Sequence, residues 1–172
     1  GELLETVKAR EGVGYAYEGA DASFELLARR LLGEVPQFFR VDSFRVMVEK
    51  RHNAMGALIT VSEATVRVFL NGEEEPLWSV AEGNGPVNAL DQALRKDLGR
   101  YSAALEDLHL VDYKVRILTS GTEAVTRVMI ESADAAGNRW STVGVSPNIV
   151  DASFEALSDS ITYKLFKAGV RP

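Results

Sequence analysis

Of all segments in this chain of 172 residues, Glu82-Gly83-Asn84-Gly85-Pro86-Val87 is the one best suited to hold a ligand. Its glycines let backbone approach a bound group closely or adopt φ > 0. Pro86 suits a first helical turn, where its missing N–H would have no partner anyway. The N–H groups of such a turn, aligned with the helix dipole, match a carboxylate or a phosphate. The same spacing also serves a plain strand-to-helix turn, and both readings stand at this point. It is not a dinucleotide fingerprint, because the third glycine is missing. Elsewhere the residues make no catalytic constellation. His52 lies in the basic Lys50-Arg51-His52 cluster, which disfavours a metal, and His109 alternates with Leu108 and Leu110, so both read as exposed polar residues. His-x-His, His-Glu-x-x-His, Gly-x-Ser-x-Gly and Walker lysine patterns are all absent. Zero cysteines exclude disulfides, thiolate zinc sites and a cysteine nucleophile. Glu73-Glu74-Glu75 reads as a solvated hairpin tip. Arg45, Arg67 and Arg127 read as polar-face residues that protect sheet edges, with substrate binding as the other reading.

The length fits about one domain. A formal charge of −6 argues against a nucleic-acid partner, and no apolar run approaches the ~20 residues of a membrane span. Residues 1–35 read as helical, with Leu3, Leu4 and Val7 as one stripe and Phe24, Leu27 and Leu31 as another. Gly33 and Pro36 end the second helix. From Phe38 the period changes to 2. Strands are expected at about 38–52, 57–70 and 77–81, with Asn71-Gly72 as a type I′ hairpin turn. A helix follows with Val87, Leu90, Leu94 and Leu98 on one face. The pattern then recurs. Strands fall at about 108–118, 124–132 and 139–145, with turns at Gly121 and Gly137-Asn138, and a long helix carries Val150, Phe154, Leu157, Ile161 and Leu165.

The recurrence extends to letters. Val41-Asp42-Ser43-Phe44-Arg45-Val46 matches Val111-Asp112-Tyr113-Lys114-Val115 with one residue dropped. Glu63 to Val68 matches Glu123 to Val128, Trp78-Ser79 matches Trp140-Ser141, and Gln92-Ala93-Leu94 matches Glu155-Ala156-Leu157. Four matches in order make an internal duplication. The expected fold is α+β: duplicated βββα units at about 38–100 and 106–170 with pseudo-two-fold symmetry, preceded by a short helical segment. The expected domains are 1–36 and 37–172. Leftover apolar surface would favour a homodimer. The second repeat has Val145-Ser146-Pro147-Asn148-Ile149 where the first has its glycines, so the two turns are not equivalent.

Gly83-Asn84-Gly85-Pro86-Val87-Asn88-Ala89-Leu90, followed by Leu110-Val111-Asp112-Tyr113, resembles the C-terminal regulatory domain of the 2-isopropylmalate synthase family. The stretches Phe44 to Arg51, Ala89 to Lys96, Asp112 to Arg116 and Trp140 to Ser146 are similar to its citramalate synthase branch. The likeness covers about residues 20–168, and 1–35 looks like the end of a helical linker. It implies a cytoplasmic parent enzyme that condenses acetyl-CoA with a 2-oxo acid. Its upstream TIM barrel would hold a divalent metal on a His-x-His pair. None of that machinery is in this chain, which starts at Gly1 without a Met and is expected to be an excised piece with no cofactor of its own.

The resemblance further implies a dimerising domain that binds the end-product amino acid near its dimer interface, isoleucine in the citramalate branch and leucine in the isopropylmalate branch. Carried over by motif, the effector residues are Gly83, Gly85, Val87, Asn88, Leu110, Tyr113, Ile117, Ala124, Pro147 and Ile149. The glycine turn would take the carboxylate. Asp112 or backbone carbonyls would take the ammonium, and Leu110, Tyr113, Ile117 and Ile149 would form an apolar socket. Tyr113 reads equally as a core aromatic. Asn88 stands where an Asp is common in the family, leaving hydrogen bonding in place of charge. Substitutions of Gly83 or Gly85 are expected to weaken effector binding more than the fold. The alternative is a structural dimerisation module that binds no effector.

Overall fold

The computed structural model describes residues 1–119 and 124–172, so the turn expected at Gly121 and the repeat match beginning at Glu123 lie outside the described residues. Element order is α1 (Glu2–Gly12), α2 (Asp21–Leu31), β1 (Phe39–His52), β2 (Leu58–Leu70), β3 (Leu77–Gly83), α3 (Pro86–Lys96), a 3₁₀ segment (Gly99–Leu105), β4 (His109–Ile117), β5 (Thr126–Ala133), β6 (Arg139–Ser146) and α4 (Ile149–Lys167). The chain is α+β and divides into two compact units, one of residues 37–103 and one of residues 1–36 with 104–171. The helical segment expected to precede both repeats thus packs with the second.

Each unit has a three-stranded antiparallel sheet, in order β1-β2-β3 or β4-β5-β6. In the first unit, alternate β2 residues Ala64, Val66, Val68 and Leu70 are buried, as a half-buried strand requires. Against them α3 sets Ala89, Leu90, Ala93 and Leu94, also buried. In the second unit Val128 and Ile130 of β5 pack in the same layer scheme under Phe154, Leu157, Ile161 and Leu165 of α4, all buried. Both first strands carry a register shift near their start, between Val41 and Ser43 in β1 and between Leu110 and Asp112 in β4.

Pairing corrects two of the letter matches. Ser62 lies opposite Gly83 at the end of β3, and Thr126 lies opposite Ser146 at the end of β6. Equivalent positions of β2 and β5 therefore differ by 126 − 62 = 64, and the match of Glu63–Val68 with Glu123–Val128 is four residues out of register. Trp78 is five residues before Gly83 and Trp140 six before Ser146, so alternation puts them on opposite faces. Trp78 is 60% exposed and Trp140 is buried. The turn after β2 also differs from expectation. Gly72 has φ +78 and, among the described residues, no non-glycine residue has φ > 0, whereas type I′ needs both central residues there. With Glu73 N–H donating to the Leu70 carbonyl, the pattern is that of a type II turn.

The N-terminal helices bury a different stripe from the expected one. In α2 the buried residues are Ala22, Ser23, Leu26 and Leu27, while Phe24 and Leu31 are exposed. Leu3 and Val7 of α1 pack against a cluster of Tyr17, Ala20, Leu27 and Val143, but Leu4 is exposed. Polar contacts fix this docking. The outward N–H groups of β6 at Ser141, Val143 and Val145 donate to Asp21, Ser23 and Glu155 at 3.0, 3.0 and 3.3 Å. An edge that would otherwise offer free donors is closed by side chains. Arg127 Nε donates to the Gly14 carbonyl at 2.7 Å, so this arginine ties the loop after α1 to the sheet. Among the described residues no helix is long and apolar enough to cross a membrane.

Candidate functional site

Gly83 ends β3 where α3 comes closest. A Cβ on it would sit 2.4 Å from the Ala89 nitrogen and 2.6 Å from Asn88 Oδ1. Only glycine fits there, for reasons of space, because neither Gly83 nor Gly85 has φ > 0. A substitution at Gly83 therefore strikes the fold directly, contrary to expectation. Gly85 is different: a Cβ there would meet nothing within 4 Å. It is the N-cap of α3 in extended backbone, φ −169 and ψ 173, with no side chain to cap the helix, and Pro86 follows at the first helical position. The first N–H returned to the helix is that of Ala89, to the Gly85 carbonyl at 2.9 Å. Val87 and Asn88 thus present their N–H groups at an uncapped helix start, the arrangement that suits an anion. Asn88 Oδ1 accepts from the Asn84 N–H at 3.1 Å and from Gln92 Nε2 at 2.8 Å, so its carbonyl oxygen staples the turn.

The second unit solves the same problem in another way. Asn148, the N-cap of α4, accepts from the N–H groups of Val150 and Asp151 at 2.8 and 3.2 Å. That helix start is filled by its own side chain. Sequence reasoning noted that the two turns differ but missed this cap, although Asn directly before an apolar helix is a recognised signal.

The other expected effector residues lie in the second unit, and the four of the glycine turn lie in the first. Leu110, Tyr113 and Ile117 pair with Ser132, Ile130 and Thr126, which places all three on the sheet face covered by α4. Leu110 and Tyr113 are half-buried. The Tyr113 hydroxyl lies 3.0 Å from Ser153 Oγ, and Ser153 spends its own proton on the Ile149 carbonyl at 2.7 Å, so Tyr113 is the donor. Ile117 is 68% exposed and Ile149, the first residue of α4, is 45% exposed. Ile117, Thr126 and Ser146 form one cross-strand row at the end of the sheet where α4 begins. Pro147 is exposed there, and Ala124 is half-buried just before β5. Asp112 pairs with Glu131, and alternation puts it on the face opposite Tyr113. It accepts from the Tyr113 N–H at 2.9 Å and pairs with Lys114 at 3.4 Å, so it does not join the apolar row.

The remaining candidates have ordinary surroundings. His52 and His109 are exposed, and among the described residues no group of three or more His, Asp or Glu could hold a metal. Glu73 pairs with Arg100 at 3.0 Å. Arg67 lies 3.4 Å from Asp42 and over the rings of Trp78 and Phe69. A cavity of about 530 Å³ beside Trp140 and Tyr163 contains Lys164 and Lys167, but Asp134 and Glu25 pair with them at 3.0 and 3.2 Å.

A family model of the LeuA allosteric (dimerisation) domain matches residues 18–165. The chain belongs to this family. Relatives of the LeuA domain include the (R)-citramalate synthase of Geobacter sulfurreducens, 53% identical over 97% of the chain and 31% of that protein. The (R)-citramalate synthase of Streptomyces coelicolor is 48% identical over 100% of the chain and 32% of that protein. The 2-isopropylmalate synthase of Carboxydothermus hydrogenoformans is 30% identical over 87% and 26%. The chain is the regulatory, dimerising region of citramalate synthase-like enzymes and spans about a third of the length of the curated relatives it matches.

Proposed function

We propose that this LeuA-family domain senses isoleucine for feedback inhibition of a citramalate synthase-like enzyme, acting as a homodimer. The observation that carries this reading is the difference between the two helix starts. That of α4 is filled by Asn148, and that of α3 is open at Gly85. A free amino acid carries a carboxylate, and the Val87 and Asn88 N–H groups of α3 suit it. The reading gives the branched side chain to Leu110, Tyr113, Ile117 and Ile149, beside Ala124 and Pro147. Its ammonium falls to backbone carbonyls, since Asp112 faces away. Effector binding would act on the attached enzyme through differential affinity for two arrangements. The divalent metal and acetyl-CoA of the parent reaction belong to the part outside this chain.

Calorimetric titration of the chain with isoleucine, leucine and valine tests the reading, with the dimer checked by sedimentation. Isoleucine is expected to bind tightest. A clear preference for leucine moves the parent to the isopropylmalate synthases, and no heat from any of the three with a folded dimer refutes sensing. The second reading is a dimerisation module without an effector. It draws on Asn88, whose carbonyl oxygen is already used twice within the turn. Full activity of the complete enzyme at saturating isoleucine and leucine would favour it.

A further inference from the structure

Helix α4 is held on opposite flanks by Tyr113 of β4 and by the N-terminal segment, where the loop between α1 and α2 reaches Glu155 and α2 reaches Asp159 through Ser23 and Arg30 at 3.0 and 2.9 Å. Its backbone rests on Gly144 of β6 so closely that a Cβ there would be 1.9 Å from the Ala152 carbonyl oxygen and 3.1 Å from the Ala156 nitrogen. At 3.6 residues per turn, Ser153 and Glu155 lie roughly 80° to either side of the Ala152–Ala156 line. On one flank Ser153 accepts the Tyr113 hydroxyl at 3.0 Å. On the other, Glu155 accepts the Tyr15 hydroxyl from the loop between α1 and α2 and, at 3.3 Å, the Val145 N–H. Arg10 stacks over Tyr15 at 5.0 Å, and Tyr15 stacks on Tyr17 at 6.0 Å. Glu155 is half-buried, and its loss of hydration pushes its carboxyl above the usual range and makes the Tyr15 donor costly to lose.

We propose that α4 is a rocker on Gly144, so that a displacement at Tyr113 moves Ser153 and Glu155 in opposite senses and loosens or tightens the Tyr15 loop. The inference rests on the reading of Tyr113 as an effector residue for its ligand, but not for its mechanics. Backbone contact at Gly144 blocks translation of α4 toward β6, and a tilt about that contact is the motion that would shift its two flanks in opposite senses. The moving loop leads into Asp21 and Ser23, which close the β6 edge. A change sensed on the α4 face of the sheet thereby reaches the N-terminal helices.

Amide hydrogen exchange on the complete chain tests this without a ligand. The reporters are the hydrogen-bonded amides of Gly14, Tyr15 and Ala20. Tyr113→Phe and Ser153→Ala each remove one link on the far flank, and each is expected to change exchange at these amides by about fivefold or more, the lower end of ordinary coupling. Tyr15→Phe marks the size of full release. Unchanged reporters in both far-flank variants overturn the rocker, and so does an equal change throughout β5, which would report global loosening. With isoleucine added, the same reporters are expected to shift in the native chain, and Tyr15→Phe is expected to bind isoleucine but lose that shift. Coupling without any isoleucine binding keeps the rocker and fails the effector reading. Binding without coupling does the reverse.

Discussion

Giving α3 the cap that α4 already has should raise stability and lower affinity together. Gly85→Asn places at the N-cap of α3 the residue type found at the N-cap of α4. The backbone at Gly85 is extended, and a Cβ there meets nothing within 4 Å, so the side chain enters without strain. Asn148 shows where it would go, onto the N–H groups of the second and third helical residues, here Val87 and Asn88. Replacing Gly by Asn at an N-cap is worth only a few tenths of a kcal/mol. For a chain of this size that is about 1 °C in thermal midpoint. The effector carboxylate would lose hydrogen bonds to the same donors, at about 1.5–3 kcal/mol for a charged acceptor. Isoleucine affinity should then fall roughly tenfold to a hundredfold. Calorimetry gives the affinity and a thermal melt gives the stability. A variant that melts at or above the native temperature and binds isoleucine unchanged would refute the assignment of the carboxylate to this helix start.

Gly83→Ala forces its Cβ to within 2.4 Å of the Ala89 nitrogen, so α3 must move by nearly 1 Å, and the expected loss is about 1–3 kcal/mol by thermal or urea unfolding. A Gly83→Ala chain as stable as the native one would show that α3 yields freely. Asp134 is held down to about 2 by the Asn138 side chain and then by the Lys164 ammonium, from an ordinary 3.8. The unfolded chain therefore binds more protons between these values. The Asp134 contribution to stability is present above about pH 4 and disappears as pH falls toward 2. Thermal midpoints of Asp134→Asn measured from pH 5 to 2 should fall less steeply than those of the native chain.

Periodicity alone located both βββα units, because a strand with one buried face must alternate and a helix covering it must step by three and four. Leu90 and Leu94 of α3 and Phe154, Leu157, Ile161 and Leu165 of α4 are all buried. Letter matching was less dependable. Trp78 and Trp140 share a residue type and a neighbour, but one step of register sends them to opposite faces. The buried stripe of α2 was misplaced because its partners are the β6 edge and α4, and nothing local in residues 21–31 specifies them. Within the candidate site, the glycine turn was legible as a strand-to-helix junction. The separate reasons for its two glycines were not, since both depend on how near α3 passes. Of the two options for the ammonium, Asp112 is removed by strand alternation, which turns it to the face opposite Tyr113.

The three side-chain acceptors along β6 also bear on where this protein can be cut. A fragment that starts at residue 37 would contain both sheets and both covering helices, and would look complete by element count. It would also lack Asp21 and Ser23, leaving the Ser141 and Val143 N–H groups unpaired on an edge strand. Such an edge recruits strands from other chains. The fragment should accordingly self-associate and precipitate where a fragment that begins before α2 stays dispersed. The family match begins at residue 18, just ahead of those two residues. The smallest well-behaved piece is therefore set by two hydrogen bonds to the edge of a sheet.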